Sequence, residues 1–568
     1  MTATVVAPPR PAVTAAPPIV RTRWWRRPLA AAALLLVVYG ALSLANDPRA
    51  FLGTDTGGKV ATLRSMDARH DARPDVGYWA QAYDHDGLLH PLALTDHIGP
   101  EWVNVTTLPM LYAGYPLYEL GGLRAILLLP MLGGVLTALA ARALARRLGG
   151  RGDLAFWLVG LATPVVVYAL DFWEHTLGLA LMAWGIVLAL DAVDGRVGWR
   201  GALASGALFG AAATMRTEAL VYAAVTVLVL AWVARARRPR GWRSTALAFG
   251  VGGALALVAN QLLEQAILGQ GLRAARTTGA ASGGGGGVGT RLQEALTTTL
   301  GINRYHVPTD WLLGAVLVLA IAVAGHRLVT TERATPAVGW FVLGLAGLGY
   351  AAWIADGLGF LPGLLVASPL AVVGLVAAGR VPGAGRLVAI GLLALPLVWA
   401  FQYGGGANPQ WGGRYELCTG LLLAVVGAVA LEALPWRRGV AVVAVAATVT
   451  GAGLAWLSVR SHAVAHAVAT VAARPGPIVA TGSGLLHFWR EGGAFYTPTR
   501  PWLTAEQASE LGPAARVLTR QAAPAFTLVT LDPAPAPARI GPYRRGGAQT
   551  VPFLAGLRLR VTRYTRRP

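Results

Sequence analysis

The sequence predicts an α-helical polytopic membrane protein of about thirteen transmembrane helices, followed by a small α/β domain at the C-terminal end. Three observations predict it. Of 568 residues, 55% are hydrophobic and only 13% charged, against about 25% charged in an ordinary soluble domain. The apolar residues gather in repeated blocks of about 15 to 20, near the span of a bilayer core. Lysine and arginine outnumber the acidic residues by 48 to 27, and most of the arginines stand in short clusters between apolar blocks, as cytoplasmic loops require. The net charge of +21 is therefore an orientation signal, and nucleic-acid binding is excluded as its cause.

Residues 1–27 are rich in Pro and Ala and end in Arg21, Arg23, Arg26 and Arg27 around Trp24 and Trp25; they read as a disordered basic cytoplasmic N-terminus. The first apolar run, residues 29–45, has no small-residue cleavage site and reads as a retained span. Further spans are expected at residues 125–141, 154–170, 176–190, 201–215, 219–233, 246–263, 311–325, 337–355, 361–378, 387–401, 417–434 and 440–459. With the N-terminus inside, alternate connections carry Arg146, Arg147 and Arg151, then Arg196 and Arg200, then Arg235 to Arg243. The same register continues with Arg327 and Arg333, Arg380 and Arg386, and Arg437 and Arg438. The odd count places the first loop, residues 46–122, and the tail, residues 460–568, outside a plasma membrane.

Three outer regions are long. The first loop holds four of the ten histidines, and its stretch 102–120 suits a short interfacial helix. The second, residues 268–309, contains five consecutive glycines, Gly283 to Gly287, which read as a flexible linker or flap. In the tail, strand-like pieces at 477–481, 526–531 and 557–564 alternate with a helix-like piece near 504–511. The single cysteine, Cys418, excludes an intramolecular disulfide.

Ionisable residues kept at membrane boundaries are functional candidates. Asp55 and Lys59 lie in a Gly-bearing turn after the first span. Asp55 suits a general base for an attacking hydroxyl or a cap for a helix starting near Thr62, and Lys59 suits a phosphate counter-charge or an interfacial anchor. In the outer turn Asp171-Phe-Trp-Glu-His175, Glu174 and His175 suit a hydroxyl-rich acceptor, a metal shared with Asp55, or helix capping beside an aromatic belt. Arg216 is a lone arginine on the outer side and requires an anion, either Glu218 or a phosphate. The segment Gly404 to Glu416 offers Trp411 and Tyr415 as flat faces for a sugar or prenyl group and Arg414 as a planar phosphate fork. Its other reading is an aromatic turn made tight by glycines. Asp84, His85 and Asp86 form a weak metal candidate without the spacing of a calcium or zinc site, and a divalent cation is the only cofactor these residues suggest.

With these features the chain resembles the GT-C superfamily of membrane glycosyltransferases, which use polyprenyl-phosphate-linked sugars. The Trp411-Gly-Gly-Arg-Tyr415 turn resembles the Trp-Gly-x-Arg-Tyr segment of bacterial members, and Arg216-Thr-Glu218 resembles their Arg-Pro-Glu variants. Thr56 follows Asp55, where the protein O-mannosyltransferase branch has Glu. The resemblance implies catalysis by Asp55, donor-phosphate binding by Arg414, Arg216 and Lys59, and substrate contacts from Glu174, His175, Glu218, Trp411 and Tyr415. It implies transfer with inversion to a cell-wall glycan, glycolipid or protein. Two other functions fit the architecture: a transporter or flippase of lipid-linked saccharide, for which Asn260, Gln261 and Glu264 in the seventh span speak, and a noncatalytic envelope-assembly protein.

Overall fold

The computed structural model describes residues 26–237, 242–272, 287–302, 336–356, 361–402 and 410–566, with a few isolated positions between 312 and 323. Among these, six helices are long and apolar enough to cross a membrane: Leu128–Arg147, His175–Val193, Glu218–Arg235, Trp242–Leu268, Arg414–Leu431 and Trp436–Ala472. Shorter apolar helices accompany them at Pro28–Ser43, Gly152–Leu161, Gly339–Ala355, Pro369–Arg380 and Gly385–Phe401. The chain is a multi-pass membrane protein. Each expected span contains helix except residues 311–325, which lie almost wholly outside the described residues. The N-terminal stretch 1–25 and the glycines Gly283 to Gly286 lie outside them too.

Lipid offers no hydrophobic drive for helix association, so close packing must supply it, and small residues allow that. A Cβ on Gly206 would stand 1.8 Å from the carbonyl oxygen of Phe249, and one on Gly374 would stand 1.8 Å from that of Leu423. Large apolar side chains on the bundle surface, such as Trp232, Leu255 and Leu262, remain exposed.

Two expected spans are broken. Residues 154–170 form Gly152–Leu161 and then Val165–Ala169, separated at Pro164, which has no N–H to give. Residues 361–378 begin as the strand Leu361–Pro362, paired with Gly301–Ile302, and continue as the helices Leu364–Ala367 and Pro369–Ala377. Both breaks pack on one turn. The N–H of Gly412 donates to Pro362 O at 2.8 Å, and a Cβ on Gly412, whose φ is +77°, would meet Pro164 at 2.5 Å and Ala367 at 3.4 Å. Non-helical backbone at membrane depth is tolerable only where protein covers it, and here one break covers the other through this turn.

The first connection contains the helix Thr54–Arg69, a hairpin of Thr95–Ile98 and Glu101–Asn104, and the helix Leu108–Ala125, kinked at Gly121 and Gly122. The expected interfacial helix thus starts later than residue 102, because Glu101–Asn104 is a strand. Within the glycine-rich region, Val288–Leu300 is a helix rather than linker.

The last span does not stop at residue 459. The helix Trp436–Ala472 runs for 37 residues, about 55 Å at 1.5 Å per residue, and leads directly into a six-stranded mixed sheet. Ile478–Thr481 lies parallel between Trp502–Ala505 and Ala525–Leu531. Arg558–Arg566 then pairs antiparallel with Ala525–Leu531 and with Tyr543–Pro552. The three expected strands are present, but the expected helix near 504–511 is a strand to Ala505, and the helix begins at Leu511. The strands Trp502–Ala505 and Tyr543–Pro552 escaped the sequence reading; the second is mostly exposed and lacks the apolar alternation that marks a buried strand.

Candidate functional site

Four connections far apart in sequence meet at one end of the bundle: the first, the Asp171–His175 turn, the Arg216 corner, and the turn 410–416. All four follow odd-numbered spans, so the sequence register brings them to the same side, and the structure joins them.

Asp55 occupies the first turn of Thr54–Arg69, where the amide dipoles favour a carboxylate, and it accepts a bond from Thr54 Oγ1 at 3.3 Å. It makes no side-chain cap. Burial raises its pKa, but Arg414, Lys59 and Arg216, with the Thr54 hydroxyl, outweigh burial and hold it below the ordinary Asp value. The backbone before it is clamped at Leu52. The Leu52 N–H donates to Asp171 Oδ1 at 3.4 Å, and its carbonyl accepts from Gln410 Nε2 at 3.1 Å and Arg460 Nη2 at 3.5 Å. Arg460 in turn pairs with Glu491 of the C-terminal region.

Lys59 is 1% exposed and pairs with Glu174. Arg216 Nε donates to Glu218 Oε1 at 2.9 Å, and its Nη1 lies 3.5 Å from Glu174 Oε1. Glu174 is thus shared by two cations. Burial raises its pKa, but Lys59 and Arg216 reverse that and lower it.

Tyr415 separates two guanidinium groups. Arg216 lies 4.9 Å and Arg414 4.6 Å from its ring centroid, and Arg414 also lies 5.2 Å from the Trp173 ring. Arg414 Nη2 donates to the Tyr415 hydroxyl at 3.0 Å. No carboxylate among the described residues forms an ion pair with Arg414. Arg216 Nη2 and Arg414 Nε are buried donors without an acceptor among the described residues. Two like charges on one ring, each with a donor that lacks an acceptor among the described residues, make an arrangement that suits an anion.

The remaining expected residues are placed as follows. Trp411 is buried between Trp353 and Trp456, at 6.0 and 5.8 Å between centroids, and its carbonyl accepts from Tyr168 at 2.9 Å. Its ring is packed into the core, away from any open sugar face. His175 is buried against Tyr168 and Trp173 at 5.0 and 4.2 Å, and neither ring nitrogen has a partner among the described residues. Asp84 accepts from the Tyr78 hydroxyl at 2.7 Å and the Leu89 N–H at 2.9 Å. His85 and Asp86 are exposed. These three form a polar turn, and no group of three metal-ligating residues stands together among the described residues. Glu264 bonds Asn260 at 2.8 Å, away from the cluster.

The sequence reading did not single out Asp171, Gln410, Arg460 or Glu491. Arg460 was within reach of the criterion that found Arg216, an arginine at the outer end of a span, since it follows the expected boundary by one residue.

Fold and cluster together define a mostly helical multi-pass membrane protein that holds a carboxylate within electrostatic reach of two arginines at one end of its bundle, beside a C-terminal sheet domain. No protein-family model and no curated protein matches the chain. Among solved structures it is similar to ArnT from Cupriavidus metallidurans bound to undecaprenyl phosphate, at 16% identity over 96% of this chain and 98% of that one, with a TM-score of 0.41. It is also similar to the Archaeoglobus fulgidus oligosaccharyltransferase AglB in complex with an inhibitory peptide and a dolichol-phosphate, at 12% identity over 89% and 70% of the two chains and a TM-score of 0.45.

Proposed function

We propose that this protein is a GT-C-type membrane glycosyltransferase, working outside the cell membrane, that moves a hexosyl or pentosyl unit from a polyprenyl-phosphate donor to a cell-envelope acceptor. The observation that carries the proposal is the anion site of Arg216 and Arg414 on Tyr415, set within electrostatic reach of Asp55. The donor phosphate rests on the two guanidinium groups, and the prenyl tail lies among the spans. The acceptor hydroxyl attacks the anomeric carbon from the face opposite the phosphate. Its oxygen forms the new bond, the carbon–oxygen bond to phosphate breaks, and the hydroxyl proton passes to Asp55, so the configuration inverts.

The electrostatics favour that order of events. Arg414, Lys59 and Arg216 lower the pKa of Asp55, which favours its ionised form but makes it a weaker base. A phosphate on Arg414 and Arg216 cancels part of their field, so Asp55 gains basicity only when the donor is bound. Charge gathering on the leaving phosphate is then stabilised by groups already in place. The broken helices beside the site are a feature that transporters share, so the test must separate transfer from transport. In membranes supplied with a polyprenyl-phosphate sugar, Asp55→Asn is expected to abolish glycosidic bond formation while donor binding persists. Unimpaired transfer by the folded variant overturns the proposal, and passage of intact donor across the bilayer without transfer favours the transporter.

A further inference from the structure

We propose that the end of the C-terminal sheet farthest from the spans is a docking surface for an anionic polysaccharide. After Glu510 the chain carries ten arginines and one acidic residue, Asp532, and Arg560 occupies that carboxylate. Arg539, Arg544, Arg558, Arg563 and Arg566 are exposed, and no carboxylate among the described residues pairs with them. Arg539 and Arg544 are direct cross-strand partners, and Arg544 is also opposite Thr565, two residues from Arg563. Like charges placed directly across a pair of strands destabilise it, and an anion between them removes that cost. The strand Tyr543–Pro552 adds a hydrogen-bonding edge. It pairs along its length with Arg558–Arg566, but beyond Arg545 its other side has no strand partner among the described residues. Open N–H and C=O groups beside arginines suit the hydroxyls and carboxylates of a glycan chain.

Position separates a polymer from the membrane surface. Under the proposed orientation, Trp436 with Arg437 and Arg438 marks the inner boundary. The helix from Trp436 rises about 55 Å to Ala472, whereas a bilayer takes about 40 to 45 Å including both headgroup layers. Arg474 just beyond the helix bonds Gln549 at 2.5 Å. The same strand is lowest near Phe553, whose ring packs on Phe488 at 5.4 Å, beside Arg460. Arg544 lies at its opposite end, above the headgroups. The docking depends on the proposed orientation but not on Asp55 chemistry.

The test uses the full chain in phosphatidylcholine nanodiscs with polygalacturonate as the probe and neutral dextran as the control. Polygalacturonate is expected to bind, dextran not. The variant Arg539→Gln/Arg544→Gln/Arg563→Gln is expected to bind about tenfold more weakly, since exposed charge pairs contribute a factor of a few each. Transfer to a small uncharged acceptor is expected to be unchanged, and Asp55→Asn is expected to bind polygalacturonate normally, which keeps failure of docking distinct from failure of catalysis. Should the triple variant unfold, Arg563→Glu alone is expected to weaken binding more than Arg563→Gln. Undiminished binding by these variants overturns the proposal. So does an equal loss from Arg437→Gln/Arg438→Gln, or a loss of binding to phosphatidylglycerol vesicles with polygalacturonate binding intact.

Discussion

The two ends of the helical bundle use charge in opposite ways. At the end formed by even-numbered connections, Arg147 pairs with Asp191 and lies 3.5 Å from Asp194, and Arg386 holds Asp194 at 2.9 Å. Glu432 accepts the N–H of Arg151 at 2.5 Å. These side chains are partly exposed, and the network ties helices together as an arginine-rich boundary needs. At the other end Lys59, Glu174 and Arg216 are buried, yet the pairing is incomplete: Asp55 and Arg414, each half-buried, influence each other without forming an ion pair, and guanidinium donors of Arg216 and Arg414 find no acceptor among the described residues. A structural network closes on itself. The proposed binding site stays open at the point where the donor phosphate would enter.

Breaking one carboxylate at each end is the strongest way to test that contrast. Glu174→Gln leaves Lys59 and Arg216 short of a buried partner, and a loss of about 3–5 kcal/mol in stability is expected. Asp194→Asn, in a half-solvated network, is expected to lose about 1 kcal/mol or less. Thermal unfolding in detergent measures both, and equal losses would dissolve the distinction. A smaller effect on stability is expected from Arg414→Gln, because its guanidinium is proposed to hold the donor phosphate: the KM for the lipid-phosphate donor should rise about 10- to 100-fold with the melting temperature unchanged. Arg386→Gln at the opposite end should leave KM alone.

A pH-dependent effect concerns the clamp on Leu52. Burial raises the pKa of Asp171 to about 7, although Lys59 and the Leu52 N–H oppose it. A carboxyl with a raised folded pKa stabilises the protein fully below its unfolded value, near 4, and that stability is lost as pH rises to about 7. Wild-type stability relative to Asp171→Asn should therefore fall between about pH 4 and 7 and level off above. A difference that stays flat with pH would show that Asp171 does not hold its proton in the folded state.

The helical bundle and the charged residues that gather at one of its ends were legible because they follow from local signals: apolar run length, arginine placement, and charges at the ends of spans. Arg216, Arg414 and Asp55 stand out for the same reason, each being ionisable where lipid makes ionisation expensive. The breaks at Pro164 and Ser368 were hidden because both halves remain apolar, and only the Gly412 turn that packs on them explains why the helices yield. Trp411 was read as a substrate platform from its residue type, but neighbours cover its ring, and covering is a tertiary fact. Tyr415 kept its place in the site with a different task, spacing two arginines. The Leu52 clamp draws on residues 171, 410 and 460, and no local pattern joins them.

The unbroken helix from Trp436 to Ala472 makes the final span and the stem of the sheet domain a single rotor. A Cβ on Gly57 would lie 1.9 Å from Arg490 O, and one on Gly493 would lie 1.8 Å from Gly57 O, so the Asp55 helix and the segment following the helix Ser483–Trp489 mesh like two gear faces. Inserting one residue near the end of the stem would turn everything beyond it by about 100°. The angular setting of a membrane helix thereby fixes how the Asp55 carboxylate is held, and a chain with every residue of the cluster intact would still be misaligned by that single insertion.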